Sequence, residues 1–170
     1  DVYTRNMYLV CWDLEVTNCI DARGSSGGIQ QRLGGICHNN LVLEAPLGIS
    51  FGHAETRKYW PTIDHGGEIT DNVILDSHNI DSAPRGVGIS IANGIATVGL
   101  EISGNVVSMQ ATGTGNVAAI YFEAYQGYNP GDDIADVEMF GNYFADWGNS
   151  GNAAYIISVA DAGGVSHVTG

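Results

Sequence analysis

Basic residues are scarce in this chain. Lys and Arg number six, with Lys58 the one lysine, against 19 Asp and Glu, and the formal net charge is −13. With no basic cluster to neutralise phosphate, nucleic-acid binding is excluded, and so is attraction to an anionic membrane surface. No run of about 18 apolar residues occurs, so no transmembrane helix is expected. No basic and apolar leader opens the chain, so any signal peptide is expected to have been removed already. Cysteine is limited to Cys11, Cys19 and Cys37. That is an odd count without CxxC spacing, which signals neither a zinc site nor a disulfide framework. There is no N-x-S/T sequon, and no window shows the i, i+3, i+4 spacing of an amphipathic helix.

What is present argues for a folded, repetitive chain. Hydrophobic residues make up 44% of the 170 residues and charged ones 15%, which excludes disorder. Glycine reaches 24 residues without a collagen period. A short pattern recurs: an aliphatic residue, two small or polar residues, usually Asn, then apolar residues. It reads Val16-Thr17-Asn18-Cys19-Ile20, Ile36-Cys37-His38-Asn39-Asn40-Leu41 and Ile69-Thr70-Asp71-Asn72-Val73-Ile74. It returns as Ile102-Ser103-Gly104-Asn105-Val106-Val107 and Met139-Phe140-Gly141-Asn142-Tyr143-Phe144, and begins again at Val168-Thr169-Gly170. The anchors 16, 36, 69, 102, 139 and 168 lie 20, 33, 33, 37 and 29 residues apart.

A second series runs out of phase with the first. It reads Gly28-Ile29-Gln30, Gly48-Ile49-Ser50-Phe51, Gly88-Ile89-Ser90-Ile91, Ala119-Ile120-Tyr121-Phe122 and Ile157-Ser158-Val159. Short strands joined by Gly, Asn and Asp corners, recurring once per turn, predict an all-β fold. The expected architecture is a single-stranded parallel β-helix of about five coils, each rising one strand spacing of about 4.8 Å. An Asn at a corner can pair with the Asn one coil away and with corner backbone, and it tolerates left-handed φ, ψ. An internal ladder of Asn39, Asn72, Asn105 and Asn142 is expected, with Cys19 replacing Asn at the narrow end.

The Asn-corner and Gly-Ile-x-Φ copies together resemble the right-handed parallel β-helix superfamily, the pectate-lyase-like fold, over nearly all of the chain. The resemblance implies one solenoid segment spanning residues 1–170, of a kind used by polysaccharide lyases, glycoside hydrolases, epimerases, phage tailspikes and adhesins. Known catalytic elements of that group are missing. The sequence has no Asn-Thr-Asp, Gly-His-Gly, Arg-Ile-Lys or Asp-Pro-His. Asp76-Ser77-His78-Asn79 reads as a corner. Open coil ends imply a longer solenoid, end-to-end stacking or a trimer.

If the anchors point inward, the residues before them point outward: Glu15, Gly35, Glu68, Glu101, Glu138 and His167. Glu68, Glu101 and Glu138 fall on consecutive coils, roughly one strand spacing or about 5 Å apart. They suit a Ca²⁺ site or an acid/base pair facing a saccharide, and equally a solvated acidic face. Two long insertions, 52–66 and 123–136, leave the same edge two coils apart and are expected to wall a groove. In the first, Trp60 and Tyr59 offer flat faces to sugar rings and Arg57 and Lys58 can neutralise a uronate. His53, Lys58 or Tyr59 can serve as base in β-elimination, and Glu55 in hydrolysis. In the second, Tyr125 and Tyr128 are stacking candidates, while Asp132 and Asp133 suit a turn or Ca²⁺. The expected partner is a polysaccharide outside the cell, on a cell surface or on a virion. The other reading is a non-catalytic structural or adhesive module.

Overall fold

In a computed structural model, residues 5–11, 13–52, 66–77, 86–92, 99–108, 117–123, 136–145 and 154–160 are described. Sixteen strands follow one another, with no helix among the described residues. The first turn of chain holds β1 (Arg5–Leu9), β2 (Glu15–Thr17) and β3 (Ile20–Ala22), and the next β4 (Gly27–Gln31), β5 (Gly35–His38) and β6 (Leu41–Leu43). Then come β7 (Leu47–Phe51), β8 (Gly67–Thr70) and β9 (Val73–Leu75), followed by β10 (Val87–Ala92), β11 (Leu100–Ser103) and β12 (Val106–Ser108). The last are β13 (Val117–Glu123), β14 (Val137–Phe140), β15 (Tyr143–Ala145) and β16 (Ala154–Ala160).

Every third strand pairs in parallel. The first sheet runs β1-β4-β7-β10-β13-β16, the second β14-β11-β8-β5-β2 and the third β15-β12-β9-β6-β3. The chain is therefore a parallel β-helix. Its core is a set of columns, because residues in register stack on their own kind. Val16, Cys37, Ile69 and Ile102 line the second sheet, and Val42, Ile74 and Val107 the third. Ile29, Ile49, Ile89 and Ile120 line the first, with Ile157 in register as the second series predicts.

The corner between the second and third sheets is two residues long in each of the five coils. The first adopts left-handed φ: Asn18 (56°), Asn39 (53°), Asp71 (55°), Gly104 (65°) and Gly141 (65°). Its N–H donates to the next coil, as from Asp71 to the Ser103 carbonyl at 3.0 Å. The second residue turns inward and forms the ladder. Asn40 Nδ2 donates to Asn72 Oδ1 (2.9 Å), Asn72 Nδ2 to Asn105 Oδ1 (3.0 Å) and Asn105 Nδ2 to Asn142 Oδ1 (2.9 Å). The other amide hydrogen reaches an anchor carbonyl, Val16, Cys37 or Ile69 respectively. Each Oδ1 also accepts the backbone N–H of its neighbour in the preceding coil. Cys19 ends the ladder as expected, its N–H donating to Asn40 Oδ1.

Two expectations are corrected by one residue in the second coil. The ladder member there is Asn40, and Asn39 is the left-handed residue outside it, donating to Asn18 Oδ1 at 2.7 Å. The inward anchor is Cys37, which is fully buried, while Ile36 faces outward in register with Glu15 and Glu68. A slip of one residue exchanges the faces of a strand, so Ile36, not Gly35, belongs to the outer column.

Candidate functional site

The second sheet is entered through backbone with few side chains. Gly34 (φ 75°), Gly35 (108°), Gly67 (147°) and Gly99 (103°) take positive φ there, and Asp136 (52°) follows them. A Cβ on Gly67 would fall 2.0 Å from the Gly35 carbonyl oxygen, so no side chain fits where the coils approach. The bare backbone leaves a depression of about 430 Å³ lined by Gly67, Gly99, Leu100 and Asp136, with Glu68, Glu101 and Glu138 along it.

The glutamates stand in register, Glu68 opposite Glu101 and Glu101 opposite Glu138. Glu68 and Glu138 are exposed and Glu101 is half-buried. The Ser103 hydroxyl donates to Glu101 Oε1, which orients that carboxylate along the sheet. Like charges one strand apart repel, which a hydrogen-bond donor or a cation between them offsets. Among the described residues no group of three or more His, Cys, Asp or Glu side chains is gathered as a metal site.

Both long connections open onto this edge. Chain leaves β7 at Phe51 and returns at Gly67, and leaves β13 at Glu123 and returns at Val137. Between them, the link from Ala92 to Leu100 is shorter. Because β7, β10 and β13 are neighbours, the two long links depart two coils apart from one edge. His53, Glu55, Arg57, Lys58, Tyr59, Trp60, Tyr125, Tyr128, Asp132 and Asp133 lie outside the described residues.

Beside the glutamates runs a second outer column that the sequence reading passed over: Thr17, His38, Thr70, Ser103 and Phe140. His38 Nδ1 shares a hydrogen bond with Thr70 Oγ1 at 2.9 Å and lies 3.7 Å from Asp71 Oδ2. Phe140, at the far end, is 55% exposed. The signal was available, since each of these residues directly follows an inward anchor. A third polar row lies on the first sheet, where Gln30, Ser50 and Ser90 alternate with core residues yet are 4%, 4% and 2% exposed. Gln30 Nε2 reaches Ser50 Oγ at 3.5 Å, and the Arg32 guanidinium lies 4.7 Å from the Tyr8 ring centre at the same end.

The fold and the site together define a parallel β-helix with an acidic, glycine-floored edge. No protein-family model, curated protein or solved structure matches the chain.

Proposed function

We propose that this protein is an extracellular β-helix of the right-handed, pectate-lyase-like type that binds or processes polysaccharide between connections 52–66 and 123–136. The observation that carries the reading is the Glu68–Glu101–Glu138 column beside the bare depression, at the edge where both long connections return. A floor in which Gly67 and Gly99 carry no side chain admits a chain-like ligand close to backbone. Carboxylates one strand spacing apart, about 4.8 Å, accept hydroxyl donors from successive sugars. That spacing approaches the roughly 5 Å carboxyl separation of retaining glycoside hydrolysis, which gives Glu101 an acid/base role with a neighbour. Trp60, Tyr125 and Tyr128 supply stacking faces from the connections. His53, Glu55, Lys58 and Tyr59 are the other proton-transfer candidates.

Charge narrows the ligand. A chain at −13 repels polyanions. A neutral glycan is favoured, and a uronate polymer requires Arg57 and Lys58, or Ca²⁺ held by Glu68, Glu101, Glu138, Asp132 or Asp133. The test is a broad glycan-binding screen with a product assay, each with and without Ca²⁺. Trp60→Ala is expected to weaken binding at least tenfold. Glu101→Gln is expected to abolish turnover while binding persists. Blank results in both screens overturn the reading.

One feature favours the structural or adhesive alternative. The outer face of the third sheet carries the column Ile20, Leu41, Val73, Val106 and Tyr143, with Ile20 73% and Tyr143 65% exposed. Contiguous apolar surface of this kind marks contact faces. Trimers or fibres by sedimentation and electron microscopy, with no glycan binding, would establish that alternative.

A further inference from the structure

One outer residue of the second sheet breaks the character of its column. Thr17, His38, Thr70 and Ser103 are polar, and Phe140, in register with Ser103, is aromatic. Phe140 is 55% exposed, whereas Met139 before it packs on the core. A large apolar side chain left in water at a strand position is informative, because the core gains nothing from it. The corner beside it is bare. Gly141 follows with φ 65°, and a Cβ there would find, beyond its chain neighbours, only the Gly104 nitrogen, at 3.8 Å.

The ring stands beside the acidic depression. Glu138 and Phe140 lie on the same outer face of β14, two residues and about 6.6 Å apart. Glu138 lines the depression, and Ser103, one coil away from Phe140, donates to Glu101. A flat apolar face, two carboxylates and a hydroxyl therefore share one patch of sheet. We propose that Phe140 is the stacking platform for the sugar that Glu138 and Glu101 hold, and that the ligand is a pyranose chain presenting a face of C–H bonds. The inference rests on the glycan reading of the depression and adds to it the part of the sugar that is recognised.

The chemistry divides between the two kinds of side chain. A pyranose carries hydroxyls around its rim and a patch of C–H bonds on a face. Carboxylates accept from the hydroxyls but give the C–H face nothing. Water leaves that face and the Phe140 ring together, which is favourable in proportion to the apolar area covered. The negative face of the aromatic ring also attracts the positively polarised C–H bonds. The spacing along β14 lets one sugar lie over Phe140 while its rim reaches Glu138. Tyr143 is 65% exposed as well, but it belongs to the outer face of the third sheet, around the corner from the glutamates.

Titration of gluco-, galacto-, manno- and xylo-tetraoses into the full chain, followed by calorimetry and proton NMR, tests the platform. For a tetraose that binds, sugar ring hydrogens of one face are expected to shift upfield, the signature of an aromatic ring beneath them. Phe140→Ala should weaken binding about tenfold or more, and Phe140→Leu, which keeps bulk without the flat face, about as much. Phe140→Tyr keeps the face and should keep the affinity. Tyr143→Ala, equally exposed but on the other sheet, should bind like wild type. Wild-type affinity in Phe140→Ala or Phe140→Leu, an equal loss in Phe140→Tyr or Tyr143→Ala, or no upfield shift overturns the platform and leaves the glycan reading standing. A wild type that binds none of the four overturns the platform too, and blank results in the broad glycan screen then overturn the reading beneath it.

Discussion

At the scale of the residue, the two columns of the constant corner show how one side-chain type serves two ends. The inner Asn amide is used fully. Asn105 donates to Asn142 Oδ1 and to the Ile69 carbonyl, and its Oδ1 accepts from both nitrogens of Asn72. Asn105→Ala strands three buried groups, so a loss of about 3 kcal/mol or more is expected in urea unfolding. The outer column needs only the left-handed backbone. Asn39→Gly is therefore expected to stay within about 0.5 kcal/mol of wild type in the same measurement. The pair also explains the one-residue slip in the sequence reading. Asn39 and Asn40 are adjacent and chemically identical, and Ile36 is a more hydrophobic anchor than Cys37. Local pattern chose the wrong member of each pair, whereas the neighbouring coils fix the register through Leu41 opposite Val73.

At the scale of the element, the strands of the first sheet are governed by closeness to the third. As β7 leaves its corner, a Cβ on Gly48 would meet the Gly88 carbonyl oxygen at 2.5 Å and Ile74 Cγ2 at 2.6 Å. Both neighbours are fixed, Gly88 within a strand paired on both sides and Ile74 by full burial. Gly48→Ala is expected to cost about 1–3 kcal/mol, measured as a thermal shift of several degrees. The equivalent residue of β13 is Ala119, which is fully buried, so the approach is closest in the earlier coils. The Gly-Ile-x-Φ copies were readable because the Ile and Φ columns are apolar. Their x residues gave less away. Serine and glutamine at 30, 50 and 90 look like solvent-facing positions, and only the assembled structure reveals them as buried.

At the scale of the molecule, the stack has no layer that can be opened without disturbing the next. Cys37 makes this measurable. It is fully buried between Val16 and Ile69, and burial pushes its thiol up to about 12. The thiolate is the reactive form, so Cys37 should react with a disulfide reagent only as fast as the coils unfold, while exposed Cys11 reacts at once. The raised value also means that stability should fall as pH climbs past the ordinary thiol range. A Cys37 that labels as quickly as Cys11 in native buffer contradicts this packing. The solenoid was legible as a whole because repetition multiplies a weak local signal. The two long connections do not repeat in the sequence, so no second copy of their pattern gives a position for their residues. The glutamate column was legible for the opposite reason, since it follows the strands.

The invariant corner has a consequence for how such a chain can change. From Thr17 to Ile20, His38 to Leu41, Thr70 to Val73, Ser103 to Val106 and Phe140 to Tyr143, the chain crosses between sheets in two residues. All variation in length is left to the other two crossings. The amide column thus works like the spine of a bound volume: pages of any width can be sewn in or trimmed at the open margin while the binding keeps them aligned.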